Sequence, residues 1–344
     1  MNNKLVAAPA GLLGTDDLTA ATAWVETPLQ LLSVLEAHST GRFAKRCHAI
    51  PRSGSAALEA TVAEIKRLGL PADLTVLPAR DEPRDARTDA GLWFIGDAFS
   101  GKVQRALLRD RRRRYVVVDD GLATLHLLRL LVKPVAAPLV RARVRAGVSR
   151  KTLGLATALR LRAAARAGRL AVFTVIPLPD DLAEQARRAG ISIVNHDFTW
   201  LRAQPDSSAP EERRVVLGAA MVNDGLIRAD RYLEWVGAHA AKEPVLYYPH
   251  RREDASTLEP LSRVPGVRIA GHGLPAEVGL RGLTAGHRVV SLPSTAVTSL
   301  RVLLGTRGVR IDAAGVPEDW WTAEAAPSLR AHLSTFVHSP EETR

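Results

Sequence analysis

Val245-Leu246-Tyr247-Tyr248-Pro249-His250-Arg251-Arg252-Glu253 is a short apolar run, β-rich in type, that stops at a proline and opens at once into four ionisable side chains. Such a run reads as a buried strand. Pro249 has no amide hydrogen to give to a ladder, so the strand ends there. His250 to Glu253 then fall at its carboxyl end, the edge where open α/β sheets bind their ligands.

Helix and strand alternate on either side of this run. Val215-Val216-Leu217-Gly218 reads as a strand, Asn223-Asp224-Gly225 as a turn and residues 229–240 as a helix. A short helix and a strand over 267–270 follow His250, then the loop Gly271-His272-Gly273-Leu274-Pro275 with Glu277 just beyond. A strand over 288–292 runs into Pro293-Ser294-Thr295, which opens a helix ending near Leu304. That opening is either a simple serine cap or, with its free amides, two hydroxyls and positive dipole end, a phosphate site. A last strand over 309–311 precedes an irregular tail containing Trp320 and Trp321.

The first half has the same rhythm. Residues 21–25 form a strand, and Thr27-Pro28-Leu29-Gln30 starts a helix to about His38, with Thr27 as cap, Pro28 in the first position and Gln30 completing a capping box. Because such a turn lies at the top of a sheet, where ligands bind, Thr27 and Gln30 are also candidates for lining a cleft. Strands follow near 44–50, 74–77, 92–95, 115–118, 170–176 and 191–194, with a helix over 56–68 and a charged loop over 81–89. Alternation of this kind gives parallel sheets. Gly96-Asp97-Ala98-Phe99-Ser100-Gly101-Lys102-Val103 nearly matches a phosphate-cradling loop, but Val103 stands where a Mg²⁺-binding hydroxyl belongs. Four arginines, 111 to 114, precede the strand that ends in Asp119-Asp120-Gly121. Two carboxylates there either cap the next helix or supply a general base, and alternation lets only one of them face a cleft.

The chain has 344 residues, 46% of them apolar, one cysteine and a net charge of +11, with a pI near 10.4. It is long enough for two domains. A single cysteine, Cys47, excludes internal disulfides and cysteine-rich zinc clusters and fits a reducing cytosol. No stretch is apolar enough to span a bilayer. The positive charge favours a polyanionic partner. It gathers in Arg141, Arg143, Arg145, Arg150, Lys151, Arg160, Arg162, Arg166 and Arg169, within an acid-free Leu/Ala/Arg stretch broken by Pro134 and Pro138. That stretch is either a solvated helical face or a contact for lipid or polysaccharide. It lacks aromatics, which argues against nucleic acid. The organisation expected is a leader over 1–20, a domain over 21–202, a linker over 203–213, a domain over 214–315 and a tail over 316–344.

Asp119-Asp120-Gly121, His250 in Tyr-Pro-His-Arg-Arg-Glu, and Ser294-Thr295 in Ser-Leu-Pro-Ser-Thr-Ala resemble, in that order, the motifs of bacterial sialyltransferases. They are most similar to those of the polysialyltransferase-like group and the lipooligosaccharide sialyltransferases. Thr27-Pro28-Leu29-Gln30-Leu31-Leu32 and Val216-Leu217-Gly218 extend the likeness over most of residues 20–310. Two departures stand out: Arg251 follows His250 where many members carry proline, and Thr295 replaces a second serine while keeping the hydroxyl.

The resemblance implies a GT-B fold, α/β with two Rossmann-like domains facing across a cleft, and inverting transfer of a sialic or related nonulosonic acid from a CMP-activated donor to a glycan hydroxyl. It implies Asp119, in preference to Asp120, as base, and His250 as donor to the departing phosphate. Ser294 and Thr295 would hold that phosphate and Glu277 the ribose, with Gly273 and Pro275 shaping the donor loop; on charge alone, Arg251 or Arg252 would pair with the donor carboxylate. A single phosphate neutralised by a histidine and a helix end needs no metal or other cofactor, so turnover in excess EDTA is expected. The expected partners are the CMP-sugar and a glycan acceptor of possible negative charge, and the expected location is cytoplasmic, with peripheral contact at the inner membrane face. The rival readings are a P-loop-like phosphotransferase using Lys102 and Asp119-Asp120, and a non-catalytic polyanion- or membrane-binding protein on the same scaffold.

Overall fold

The computed structural model describes residues 20–83, 91–109, 113–141, 146–271 and 273–334. The leader, most of the charged loop over 81–89, Arg111 and Arg112, Arg143, Arg145, His272 and the end of the tail lie outside them. The first unit contains β1 (Ala20–Val25), α1 (Pro28–Ser39), β2 (Arg46–Pro51), α2 (Ala56–Leu68), β3 (Leu74–Val76), β4 (Leu92–Ile95), α3 (Gly101–Arg109), β5 (Arg114–Val118), α4 (Leu122–Leu131), α5 (Val148–Arg166), β6 (Leu170–Thr174), α6 (Asp180–Arg188), β7 (Ser192–Asn195) and α7 (Thr199–Arg202). The second contains β8 (Arg214–Leu217), α8 (Ala229–Ala240), β9 (Val245–Tyr248), α9 (Ala255–Ser262), β10 (Val267–Ile269), α10 (Ala276–Gly279), β11 (Arg288–Ser291), α11 (Thr295–Leu304), β12 (Arg310–Ala313) and α12 (Pro327–Ser334).

The units divide between Ala203 and Gln204. Their sheets run β3-β2-β1-β4-β5-β6-β7 and β10-β9-β8-β11-β12. Every pairing is parallel. Both are Rossmann-like, doubly wound α/β sheets, the two halves that a GT-B architecture requires. In each, the strand order reverses beside the first strand, at β1/β4 and at β8/β11. β4, β6 and β9 are buried at every position, as parallel strands covered on both faces must be.

Local chemistry sets the boundaries. Thr27 caps α1 by accepting the Gln30 amide at 3.3 Å, with Pro28 in the first turn. The capping box expected of Gln30 closes one residue early, because Gln30 Oε1 takes the amide of Glu26 at 2.8 Å. Pro134 and Pro138 part the Leu/Ala/Arg stretch into α4 and α5, and Gly154 of α5 lies so close to Leu139 that a Cβ would stand 2.7 Å from its carbonyl oxygen. The segment around Trp320 and Trp321, read as irregular, is pinned to the second unit. The Arg228 amide donates to the Trp320 carbonyl at 2.9 Å, and the Thr322 amide to that of Leu226 at 3.0 Å.

Candidate functional site

In the first unit, β1, β4 and β5 deliver their carboxyl ends side by side. Asp119 and Asp120 follow β5 and part company at once. Asp119 is 1% exposed. Its Oδ1 accepts the Thr124 hydroxyl at 2.9 Å, and its Oδ2 accepts the Thr174 hydroxyl at 2.9 Å and the Val175 amide at 3.0 Å. Burial pushes its pKa up to about 6 against the pull of those bonds. Both of its oxygens accept hydrogen bonds inside the fold, tying β5 to α4 and β6. Asp120 is only half-buried, and its Oδ1 is steadied by the Thr27 hydroxyl at 3.2 Å. Thr27 thus meets the second acid. Gln30 does not line a cleft. It is fully buried, with its Nε2 lacking a hydrogen-bond partner, and it wedges against Gly96, where any Cβ would come within 2.2 Å of its Oε1.

The near-match to a phosphate loop folds otherwise. Asp97 is buried in it and takes the Phe99 amide at 2.7 Å, the kind of donor a phosphate would need. Lys102 reaches away to the Asp81 carbonyl, and Val103 is in the core. This removes the P-loop reading. Arg141 pairs with Asp97, while Arg150 is aimed by the Gln104 side chain and the Phe99 carbonyl. A cavity of about 260 Å³ opens here, lined among others by Glu26, Arg52, Ser100, Arg141 and Arg150. Glu26 in its wall adjoins Thr27, the residue that holds Asp120. Nothing in the sequence flagged this cavity, because its residues are scattered over five segments.

In the second unit, His250 leaves the end of β9 as expected, and Glu253 fixes it there. Glu253 is buried, with Oε2 accepting the His250 amide at 2.7 Å and Oε1 accepting the Tyr247 hydroxyl at 2.6 Å. Tyr232 and Tyr247 meet through their hydroxyls at 3.0 Å. Burial pushes Glu253 up to about 7. Gly218, directly after β8, makes this arrangement possible: a Cβ there would lie 2.1 Å from Glu253 Oε2 and 2.6 Å from the His250 nitrogen. The His250 Nδ1 accepts the Arg252 amide at 3.2 Å, which places the ring proton of a neutral imidazole on Nε2. Glu253 was unassigned in the sequence. Its position three residues past His250, within reach of that residue's own amide, was the available signal.

Ser294 stands on the other side of β8, after β11. It occupies the cap position of α11 in extended conformation, but its side chain makes no capping bond. Its hydroxyl is not used by its own helix, and both Ser294 and Thr295 are part-exposed. Glu277, at the start of α10, is buried and receives the Ser299 hydroxyl from α11. The Tyr248 hydroxyl donates to the Leu274 carbonyl at 3.0 Å and holds the loop carrying Gly273 (φ 126°) and Pro275, which caps α10. Arg252 makes a two-pronged pair with Asp224 at 2.9 and 3.0 Å. Arg251 is exposed. Among the described residues no group of three or more His, Cys, Asp or Glu side chains is placed to hold a metal ion.

No family model and no curated protein matches the chain. Among solved structures, it is similar to the GT-B domain of a sialyltransferase from Photobacterium damselae, with TM-score 0.48, 10% identity and coverage of 92% of this chain and 97% of that one. A UDP-glucose:anthocyanidin 3-O-glucosyltransferase in complex with UDP aligns with TM-score 0.44 and 12% identity over 93% and 90% of the two chains. A UDP-N-acetylglucosamine 2-epimerase from Rickettsia bellii gives 0.45 and 10% over 95% and 90%.

Proposed function

We propose that the protein is an inverting glycosyltransferase with a nucleotide-activated donor, the donor being a CMP-linked nonulosonic acid and the acceptor a hydroxyl of a glycan. The observation that carries this reading is the carboxyl edge of the second sheet. His250 after β9 and Ser294 after β11 flank β8, two strand spacings or roughly 10 Å apart. One offers an Nε2–H and the other an uncommitted hydroxyl on a helix amino end, so a single phosphate between them would meet a proton donor on one side and a dipole on the other.

In this reading Asp120 takes the proton of the acceptor hydroxyl, and the oxygen attacks the anomeric carbon. The bond from that carbon to the phosphate oxygen breaks, with its electron pair going to the oxygen. His250 Nε2–H hydrogen-bonds or protonates the departing phosphate, which Ser294, Thr295 and the first amides of α11 hold. Glu277, braced by Ser299, serves the ribose, and Arg251 the donor carboxylate. The arginine-lined cavity beside Thr27 favours an acceptor that carries an anionic group. A non-catalytic scaffold would have no use for an unspent helix-cap hydroxyl opposite an oriented histidine.

Calorimetric titration with CMP, UDP and ADP on the wild type and on Ser294→Ala tests the donor class. Micromolar CMP binding that weakens about tenfold in the variant is expected. Tight UDP or ADP binding without CMP binding would replace the donor. CMP-sugars that bind without being turned over would leave the non-catalytic scaffold standing.

A further inference from the structure

Val135, Val148, Leu155 and Leu159 are the large apolar side chains that stand exposed among the described residues, from 36% for Leu155 to 82% for Val148. They all belong to α5 and to the loop before it, and Arg162 ties the two together by donating to the carbonyls of Lys133 at 2.8 Å and Pro134 at 3.2 Å. Val148, Thr152, Leu155, Leu159, Ala163 and Arg166 recur at spacings of three and four residues, which puts them on one side of the helix, and all six are exposed. The opposite side, with Gly154, Ala158, Leu161 and Ala165, is buried in the first unit. α5 is therefore apolar on both faces and covered on one. A helix built this way is expected to have something on its other face.

We infer that this face docks on an anionic membrane surface. The stripe ends in Arg166 and is bordered by Lys151 and Arg162, and no Asp or Glu occurs anywhere between Asp120 and Asp180. Apolar side chains within a basic frame are what an anionic lipid interface takes up. A second copy of the chain fits poorly, because pairing two such faces would bring the cations of each against those of the other. At 19 residues α5 has the length to cross a bilayer, but five of those residues are basic, so it lies on the surface instead. No helix among the described residues is long and apolar enough to cross a membrane. Val148 is two residues from Arg150, a wall of the arginine-lined cavity. A membrane on this face would thus present lipid-carried glycans near that cavity. That consequence depends on the glycosyl-transfer reading; the docking does not.

Co-sedimentation of the full chain with phosphatidylcholine vesicles, with and without phosphatidylglycerol, tests the docking. Binding only to the phosphatidylglycerol vesicles is expected. It should fall about tenfold or more in Leu155→Ser/Leu159→Ser and again in Lys151→Glu/Arg166→Glu, at unchanged thermal midpoints and unchanged CMP affinity. Absence of binding to anionic vesicles would overturn the inference. So would equal binding by the serine variant, which would mean charge alone acts. A dimer in sedimentation velocity that the serine variant abolishes would assign the face to a second copy, and capture by an acidic protein without vesicle binding would assign it to a protein partner.

Discussion

Asp119 and Asp120 are neighbours of the same chemical type, and their surroundings give them different work. Asp119 is a buried acceptor for donors of Thr124, Thr174 and Val175, and Asp120 is a part-exposed carboxylate steadied by Thr27. Asp120→Asn should lower turnover about 10²-fold or more while leaving the thermal midpoint and CMP binding unchanged. Asp119→Asn turns an amide NH₂ toward the donors of Thr174 and Val175, or toward that of Thr124 if flipped. It should cost about 1–3 kcal/mol of stability, with a smaller loss of turnover in the protein that remains folded. Parallel denaturation and kinetic measurements on the two variants check this, and the reverse pattern would return the base to Asp119.

The decisive element in the second unit is the turn that leaves β9. Pro249 ends the strand, Glu253 folds back to capture the His250 amide, and the Tyr247 hydroxyl satisfies the other carboxylate oxygen. β8 must therefore be followed by a residue without a side chain, Gly218. Gly218→Ala should lower stability by about 1–3 kcal/mol, displace His250 and weaken CMP binding, because the new methyl meets a buried carboxylate and a backbone nitrogen. Gly286→Ala, where a Cβ would meet nothing within 4 Å, is the matched control and should be neutral. Equal behaviour of the two in calorimetry would show that the Glu253 turn does not govern the site.

Across the whole molecule, three buried carboxyls act on the pH response in one direction, and buried His196, pushed down to about 3 by its burial, acts in the other. Burial raises Asp119 to about 6, and Glu36 and Glu253 to about 7. Glu36 accepts the Trp200 and Leu201 amides and anchors α7 to α1. Each folded-state pKa lies above the ordinary carboxyl value, so between about pH 4 and 7 the folded chain holds more protons than the unfolded one. The stability these groups contribute is fully present below the ordinary carboxyl pKa and is lost as the pH rises through 6 and 7. The slope from each group reaches at most about 1.4 kcal/mol per pH unit. Thermal denaturation should give a higher midpoint near pH 5 than near pH 7.5, and Glu36→Gln should narrow that gap. A gap unchanged in the variant would remove Glu36 from the account.

The sequence by itself determined the two alternating α/β halves. Continuous apolar strands, prolines and capping residues are local signals that buried parallel sheets require, and they placed β9, α1, α11 and the residues at their ends. It also placed Asp119, Asp120, His250 and Ser294 on strand ends, since a strand that stops at a charge or a proline puts that residue at the sheet's edge. Only the tertiary structure decided which aspartate is buried, because that depends on Thr174 and Val175, more than fifty residues away. It alone showed that Gly96 and Gly218 make room for the side chains of Gln30 and Glu253, that Arg252 is taken by Asp224, and that the loop before α3 encloses a carboxylate. It alone showed that the outer face of α5 is uncovered. The physical reason is the same in each case: secondary structure follows from neighbours in sequence, whereas burial, charge pairing and unspent hydrogen bonds depend on segments that meet only when the chain has folded.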